Sequence, residues 1–180
     1  MSDFQISDWV AIGSAAISVL ALLFNLVVTS RQTRVSVETL MFNNDSQVMN
    51  WANRVVGAMS EAHHLSSASN VSSAYVHERA LGLATNLSAL IDEGRWFFPN
   101  IGKKETDHEK PGAYKGTRQA VLDHVVDAYN AVMAIQSADD AMRASMVGGI
   151  HDARRHFVSE VQHAVDPRRR SWVMDRFRKF

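Results

Sequence analysis

Near its N-terminus the chain carries a long apolar run without any ionisable side chain. The run extends from Trp9 to Ser30, 22 residues of which eleven are Val, Ile, Leu or Phe. A helix of that length spans about 33 Å, against about 30 Å for the hydrocarbon core of a bilayer. Transfer of these side chains into lipid contributes on the order of −5 kcal/mol, and Trp9 suits the membrane interface. The pattern predicts a transmembrane helix over 9–30, preceded by a short extracytoplasmic segment, 1–8.

The charges that flank this run predict its orientation. Asp3 and Asp8 precede it, whereas Arg31 and Arg34 follow it. A cleaved signal peptide has the opposite order, with basic residues first. Because basic residues stay on the cytoplasmic side, we expect the N-terminus outside and the chain from residue 31 onwards in the cytoplasm.

Small and polar residues recur within the apolar run at alternating spacings of three and four. They are Ala11, Ser14, Ser18, Ala21 and Asn25. This spacing places them on one face of a helix, where small side chains allow a second helix to approach and an Asn seeks a hydrogen-bond partner. We name this face the small-residue stripe. It predicts self-association or a partner helix; the alternative is that such residues are simply common in membrane helices.

After the apolar run, apolar residues recur at helical spacing in four segments, 37–62, 76–90, 121–133 and 146–164. Polar runs at 66–73 and 137–140 separate neighbouring segments, and Gly94 is expected in the left-handed position just past the second helix. No alternating strand pattern is present. We predict an all-α fold: the transmembrane helix, a cytosolic antiparallel four-helix bundle within 31–167, and a C-terminal amphipathic basic helix over 168–180.

Residues 95–116 form the longest segment without a helical pattern. It opens with Arg95, Trp96, Phe97 and Phe98 and continues into a charged stretch with two prolines nearby. Long irregular loops in compact domains are often functional, so these four residues are candidates for contact with a partner or ligand. The other interpretation is that Trp96 and Phe98 close the end of the bundle while the charged tip is solvated.

The C-terminal segment concentrates positive charge on a chain of zero net charge. Residues 31–167 carry 13 basic and 16 acidic side chains, whereas 168–180 carry six basic and one acidic. The segment mixes basic and aromatic residues: Arg168, Arg169, Arg170, Trp172, Arg176, Phe177, Arg178, Lys179 and Phe180. We expect this basic tail to contact an anionic lipid surface. Packing on the acidic body is the alternative, and contact with nucleic acid is the interpretation with the weakest support.

Candidate chemistry is sparse. The chain has no cysteine, which excludes disulfides, thiolate metal sites and thiol catalysis. It has no Gly-rich phosphate loop and no Gly-x-Ser-x-Gly motif. Asp152, His156 and Glu160 share a helix face, and Asp123 and Asp127 lie near His124, but the Glu-x-x-His pairs of di-metal bundles are missing. We therefore expect no catalytic residue, no metal site, no cofactor and no enzymatic activity.

Two segments carry a resemblance, 94–100 (GRWFFPN) and 110–116 (KPGAYKG). They resemble a motif of uncharacterised bacterial single-pass inner-membrane proteins that have a cytosolic helical domain. The resemblance implies an inner-membrane location and no known reaction. Some proteins of this layout are effectors or accessory subunits of antiphage systems.

Together these observations predict a membrane-anchored cytosolic helical interaction or scaffold protein that self-associates. Its expected partners are the lipid bilayer, a second copy of the chain and a protein not identified by the sequence. One alternative is a membrane-disrupting effector or accessory subunit of a bacterial defence system. The second alternative is a helical hydrolase with a His/Asp site at Asp152 and His156.

Overall fold

A computed structural model describes residues 6–102, 107–166 and 168. These residues form four α-helices and no strand, which confirms the all-helical prediction. The helices are α1 (Ile6–Ser67), α2 (Ser73–Phe97), α3 (Ala120–Ile135) and α4 (Asp140–Ala164). Contacts between residues divide the chain into two units, Met1–Asp45 and Ser46–Phe180, and α1 contributes residues to both.

The first unit contains the apolar part of α1. One 18-residue window of this helix is apolar and long enough to cross a membrane, and none of that window is buried within the protein. Large apolar side chains are more than half exposed, among them Leu20, Phe24 and Leu26. A helix with apolar side chains all round requires an apolar environment, either lipid or a large protein core.

The second unit has one apolar core with side chains from all four helices. Helix α2 packs on α3, and α3 packs on α4. Trp51 of α1 lies fully buried in this core, where its indole N–H donates a hydrogen bond of 2.8 Å to the Leu90 carbonyl. The rings of Phe98 and Phe157 lie 5.6 and 5.4 Å from the Trp51 ring. Because a buried indole needs a hydrogen-bond partner, the Leu90 carbonyl fixes where α1 crosses α2.

Gly94 lies inside α2, which continues to Phe97, and its backbone is not left-handed. The prediction that Gly94 ends the helix was therefore wrong, and the irregular segment begins three residues later than expected. A Cβ at Gly94 would lie 2.5 Å from Leu122 Cδ2 and 2.6 Å from Trp51 Cζ2. This position needs glycine because of close packing between helices.

Side-chain caps begin two of the helices. Ser72 accepts a hydrogen bond from the Tyr75 amide at the start of α2, and Asp139 accepts one from the Met142 amide at the start of α4. Asp139 belongs to the polar run 137–140, which does separate α3 from α4, and Ser and Asp side chains satisfy amides that a helix leaves unpaired. The buried Arg143 adds a contact over a longer range, donating to the Ala68 carbonyl at 3.3 Å.

Candidate functional site

The segment between α2 and α3 folds back on itself. Ile101 and Thr117 exchange two backbone hydrogen bonds, each 2.8 Å long, which join the two ends of the segment. Gly116, next to this pair, has a φ of +86°, and a Cβ there would lie 2.5 Å from the Gly102 carbonyl oxygen. Both the left-handed backbone and the close approach require glycine. The Gln119 side-chain amide donates to the Pro99 carbonyl at 2.8 Å, which closes the segment at the start of α3.

Asp107 organises the centre of this segment. Its side chain is almost fully buried and accepts hydrogen bonds from the Gly116 amide at 2.7 Å and from Lys110 Nζ at 3.1 Å. A buried carboxylate is stable only with such partners. Asp107 therefore holds Lys110 against the left-handed turn, next to the short 3-10 helix Gly112–Tyr114.

Arg95, near the end of α2, is also held in place by neighbouring side chains. Its guanidinium carbon lies 4.3 Å from the centre of the Tyr114 ring, and its Nη1 donates to Asn100 Oδ1 at 3.3 Å. The Tyr114 hydroxyl donates to Asp92 Oδ1 at 3.0 Å, and this hydrogen bond raises the pKa of Tyr114. Stacking on an aromatic ring and bonding to a side-chain oxygen together restrict the guanidinium to one position.

These groups surround an open surface cleft of about 590 Å³. We name it the 95–123 cleft. Its charged and hydrogen-bonding walls are Arg95, Asn100, Lys110, Tyr114, Arg118 and Asp123. Arg118 Nη1 lies 3.3 Å from Asp123 Oδ1 at the first turn of α3. The volume lies within the range of small-molecule sites, about 300–1,000 Å³.

The four residues predicted to form a partner loop have different environments. Arg95 lines the cleft, Phe97 is half-buried beside Trp51, and Phe98 is buried against Trp51. Trp96 is 80% exposed, so the interpretation that it closes the bundle end was wrong. Because α2 continues to Phe97, Trp96 lies two residues after the core-facing Gly94 and is turned to the opposite side of the helix. Contact of this segment with a partner remains a prediction.

Sequence reasoning did not select Asn100, Lys110, Tyr114, Arg118 or Asp123 as site residues. A signal was available, because the segments 94–100 and 110–116 both stand out in the sequence and together supply four of the cleft residues: Arg95, Asn100, Lys110 and Tyr114. Reading those two segments as one site would have placed Arg95 beside Tyr114.

The histidines form two groups of ring contacts. The His63 ring lies 5.7 Å from the His64 ring and 6.1 Å from the His151 ring. Burial and the nearby Arg154 guanidinium lower the pKa of His63 below its ordinary value. The second group stacks the His124 and His156 rings at 5.4 Å.

The proposed His/Asp pair is not the closest pairing on α4. Asp152 Oδ1 lies 3.4 Å from His151 Nδ1, while His156 stacks on His124. Within 6–102, 107–166 and 168, no three His, Asp or Glu side chains are grouped so that they could hold a metal ion. The His63–His151 contact joins α1 to α4, and the His124–His156 contact joins α3 to α4.

The small-residue stripe lies on α1 in the first unit, where Ser14, Ser18, Ala21 and Asn25 are exposed and Ala11 belongs to the same helix. The Ser18 hydroxyl donates to the Ser14 carbonyl at 2.8 Å, which satisfies it within the helix. Asn25 contributes the one side-chain amide of the 9–30 run.

Of the basic tail, only Arg168 belongs to the described residues. Its guanidinium lies 3.0 Å from the Asp166 carboxylate, and hydrogen bonds from Arg168 lower the pKa of Asp166. The other predicted lipid-contact residues lie outside the described ranges: Arg169, Arg170, Trp172, Arg176, Phe177, Arg178, Lys179 and Phe180.

Comparison of the chain with protein-family models, with curated proteins and with solved structures finds no match. The 95–123 cleft offers guanidinium and ammonium groups held by side-chain and backbone contacts, an arrangement suited to binding a ligand.

Proposed function

We propose that the chain is a membrane-anchored helical interaction protein. In this proposal 9–30 crosses a bacterial inner membrane, 1–8 lie outside, and 31–167 form a cytosolic antiparallel bundle. The observation that carries the proposal is the uncharged helical run 9–30, whose large apolar side chains are exposed. Exposing apolar surface to water costs about 25 cal/mol per Å², so a run of this size is stable in lipid and costly in water.

The antiparallel bundle is supported by short connections and a shared core. Helices α1 and α2 are joined by residues 68–72, and α3 and α4 by 136–139. Short connections between packed helices favour antiparallel neighbours. The exposed Trp96 and the 95–123 cleft then form surfaces where a cytosolic partner or ligand can bind.

Single-cysteine labelling tests the membrane topology directly. The chain has no cysteine, so one engineered thiol is the sole labelling site. We expect a membrane-impermeant maleimide to label the Ser2→Cys variant in intact bacterial cells, because the flanking arginines keep the other end inside. The Ala144→Cys variant, at an exposed position of α4, is expected to react only after the membrane is opened.

Labelling of both variants in opened cells is the control for thiol reactivity. The opposite pattern, in which Ala144→Cys reacts in intact cells and Ser2→Cys does not, would reverse the proposed orientation. Recovery of the chain in the soluble fraction after cell lysis would refute the anchor itself.

We further propose that the small-residue stripe brings copies of the chain together. Ser14, Ser18 and Ala21 let two helix backbones approach, and Asn25 hydrogen-bonds across the contact. Sedimentation equilibrium of the full-length chain in detergent is expected to show a defined oligomer. Asn25→Leu and Ala21→Leu are each expected to weaken it about fivefold, since one such contact is worth about 1 kcal/mol.

Ala16→Leu is the matched control, because Ala16 is an exposed small residue of the same helix that lies off the stripe. Its association is expected to equal that of the unmodified chain. Equal weakening by Ala16→Leu and Ala21→Leu would show that the stripe does not direct association, and a monomer at all concentrations would remove this part of the proposal.

A second candidate function is membrane disruption by assembled anchors, which the polar Asn25 within an apolar segment favours. Overexpression would then collapse the membrane potential, measured with a potential-sensitive dye, and Asn25→Leu would restore it. An unchanged potential on overexpression of the unmodified chain would count against membrane disruption.

A further inference from the structure

The 95–123 cleft contains two buried guanidinium nitrogens that make no hydrogen bond within 6–102, 107–166 and 168. They are Arg118 Nε and Arg95 Nε, and Arg95 Nε lies 3.5 Å from Asp92 Oδ1 as an ion pair. The Arg95 side chain is 11% exposed, so little water reaches it. A buried donor without a hydrogen-bond acceptor is costly and uncommon in native proteins, so each of these nitrogens calls for an acceptor from water, an ion or a ligand.

The carboxylates at the cleft are already engaged. Asp107 accepts from Lys110 and the Gly116 amide, and Asp92 accepts from Tyr114. Asp123 is paired with Arg118 at the cleft wall and is 52% exposed. The unsatisfied buried atoms of the cleft are thus donors, and a ligand that satisfies them must supply acceptor oxygens.

The three cationic side chains of the cleft also differ in how deeply they are buried. Arg95 is the most buried, the Arg118 side chain is 35% exposed and the Lys110 side chain is 46% exposed. Arg95 is fixed by Tyr114 and Asn100, and Lys110 by Asp107, so little side-chain freedom is lost when a ligand binds. Guanidinium groups match the geometry of phosphate oxygens and bind them through paired N–H groups.

We propose that the 95–123 cleft binds the phosphate group of a small phosphate monoester, with Arg95 and Arg118 as its donors and Lys110 at the entrance. The cleft of about 590 Å³ has room for more than the phosphate, so the ligand carries a further moiety beside the exposed edge of Tyr114. A soluble ester such as a nucleotide and a lipid headgroup present the same chemistry.

Isothermal titration calorimetry of the full-length chain in non-ionic detergent tests this proposal. It also shows whether the phosphate belongs to a soluble ester or to a lipid headgroup. Adenosine 5′-monophosphate is compared with adenosine, and dihexanoyl phosphatidic acid with dihexanoylglycerol. We expect saturable binding of a phosphate-bearing member of either pair and none of its phosphate-free counterpart. Binding of the nucleotide indicates a soluble ligand, and binding of the phosphatidic acid alone indicates a headgroup.

Variants of Arg118 and Lys110, the two less buried cations, test whether the phosphate binds in this cleft. Arg118→Gln and Lys110→Gln are each expected to weaken the bound phosphate ester about tenfold, since a charge-assisted hydrogen bond is lost. Arg155→Gln makes the same change of charge at an exposed position of α4 and is expected to bind as the unmodified chain does. Arg95→Gln is not used as a test, because Arg95 is buried and its replacement affects folding as well as binding.

A substitution at Asp123 shows whether the ligand is an anion or a cation, because removal of the carboxylate strengthens the binding of an anion and weakens that of a cation. Asp123→Asn removes a carboxylate from the cleft wall and is expected to tighten binding of the phosphate ester. Weaker binding by Asp123→Asn, equal loss in Arg155→Gln and Arg118→Gln, or no binding of either phosphate compound at millimolar concentration would each overturn the proposal. The assay uses detergent-solubilised protein, so its outcome is independent of the proposed orientation in the membrane.

Discussion

Gly94 lies where helix α2 packs against Trp51 and Leu122 and leaves no room for a side chain. A methyl group there would meet both side chains at less than 3 Å, so the helix would have to move away or the core would have to repack. We expect Gly94→Ala to lower the free energy of unfolding by about 1–3 kcal/mol, although alanine favours helix. Urea denaturation followed by circular dichroism in detergent measures the change.

Gly82 provides the control on the same helix, because a Cβ there would have nothing within 4 Å. Gly82→Ala is expected to raise the free energy of unfolding by about 0.5–1 kcal/mol through helix propensity alone. If both variants were stabilised equally, the close approach at Gly94 would be disproved.

At the scale of single residues, the sequence predicted what depends on near neighbours. The cap at Asp139 depends on an amide three residues away, so its pattern is visible in the sequence. The need for glycine at position 94 comes from packing against Trp51, which lies 43 positions earlier in the sequence. A local sequence pattern cannot reveal a contact over that distance. The interpretation that Trp96 closes the bundle end was wrong for a related reason, since its exposure depends on where α2 ends.

Helices α1 and α4 meet at His63 and His151, and we expect the stability of the fold to depend on pH there. Burial and the Arg154 guanidinium lower the pKa of His63, and His64 and His151 act in the same direction. Below about pH 6.5 the unfolded chain therefore binds more protons than the folded chain, and the free energy of unfolding falls. We expect the melting temperature to drop between about pH 7.5 and about pH 5.5.

His63→Gln is expected to reduce the fall in melting temperature, because it removes the imidazole that is harder to protonate in the folded chain than in the unfolded chain. His77→Gln, at an exposed position of α2, is expected to keep the full dependence on pH. A melting temperature that falls equally in the unmodified chain and in both variants would assign the effect to other groups.

At the scale of elements, each of the four apolar segments lies in one of the four described helices, because a helical period is a repeated local signal. The predicted transmembrane run and the first segment belong to the same helix, α1. The folded connection between α2 and α3 was not predictable in the same way. Its shape depends on Asp107 reaching Gly116 and on Ile101 pairing with Thr117, contacts without a periodic pattern. The 95–123 cleft therefore became visible only once these residues were placed together.

The whole molecule separates charge between an acidic body and the basic tail. Residues 168–180 carry six basic and one acidic side chain, whereas 31–167 carry more acidic than basic groups. We expect a synthetic peptide of residues 166–180 to bind vesicles that contain phosphatidylglycerol more strongly than neutral vesicles, measured by the emission of Trp172. Each basic residue near an anionic surface contributes about 1 kcal/mol.

Replacing Arg168, Arg169 and Arg170 by Gln in the peptide is expected to remove most of the preference for anionic vesicles. Half a molar salt is expected to act in the same direction by screening the charges. Binding that is equal on anionic and neutral vesicles would favour packing of the basic tail on the body of the protein.

The opposite environments of Trp51 and Trp96 give the protein two intrinsic optical reporters. Trp51 is fully buried, whereas Trp96 is 80% exposed on the same helical unit. With Trp9 and Trp172 replaced by Phe, emission at short wavelengths would report the integrity of the core, and the fraction quenched by acrylamide would report the surface beside the cleft. A docking event and an unfolding event would then be distinguishable in one cuvette, without an attached dye.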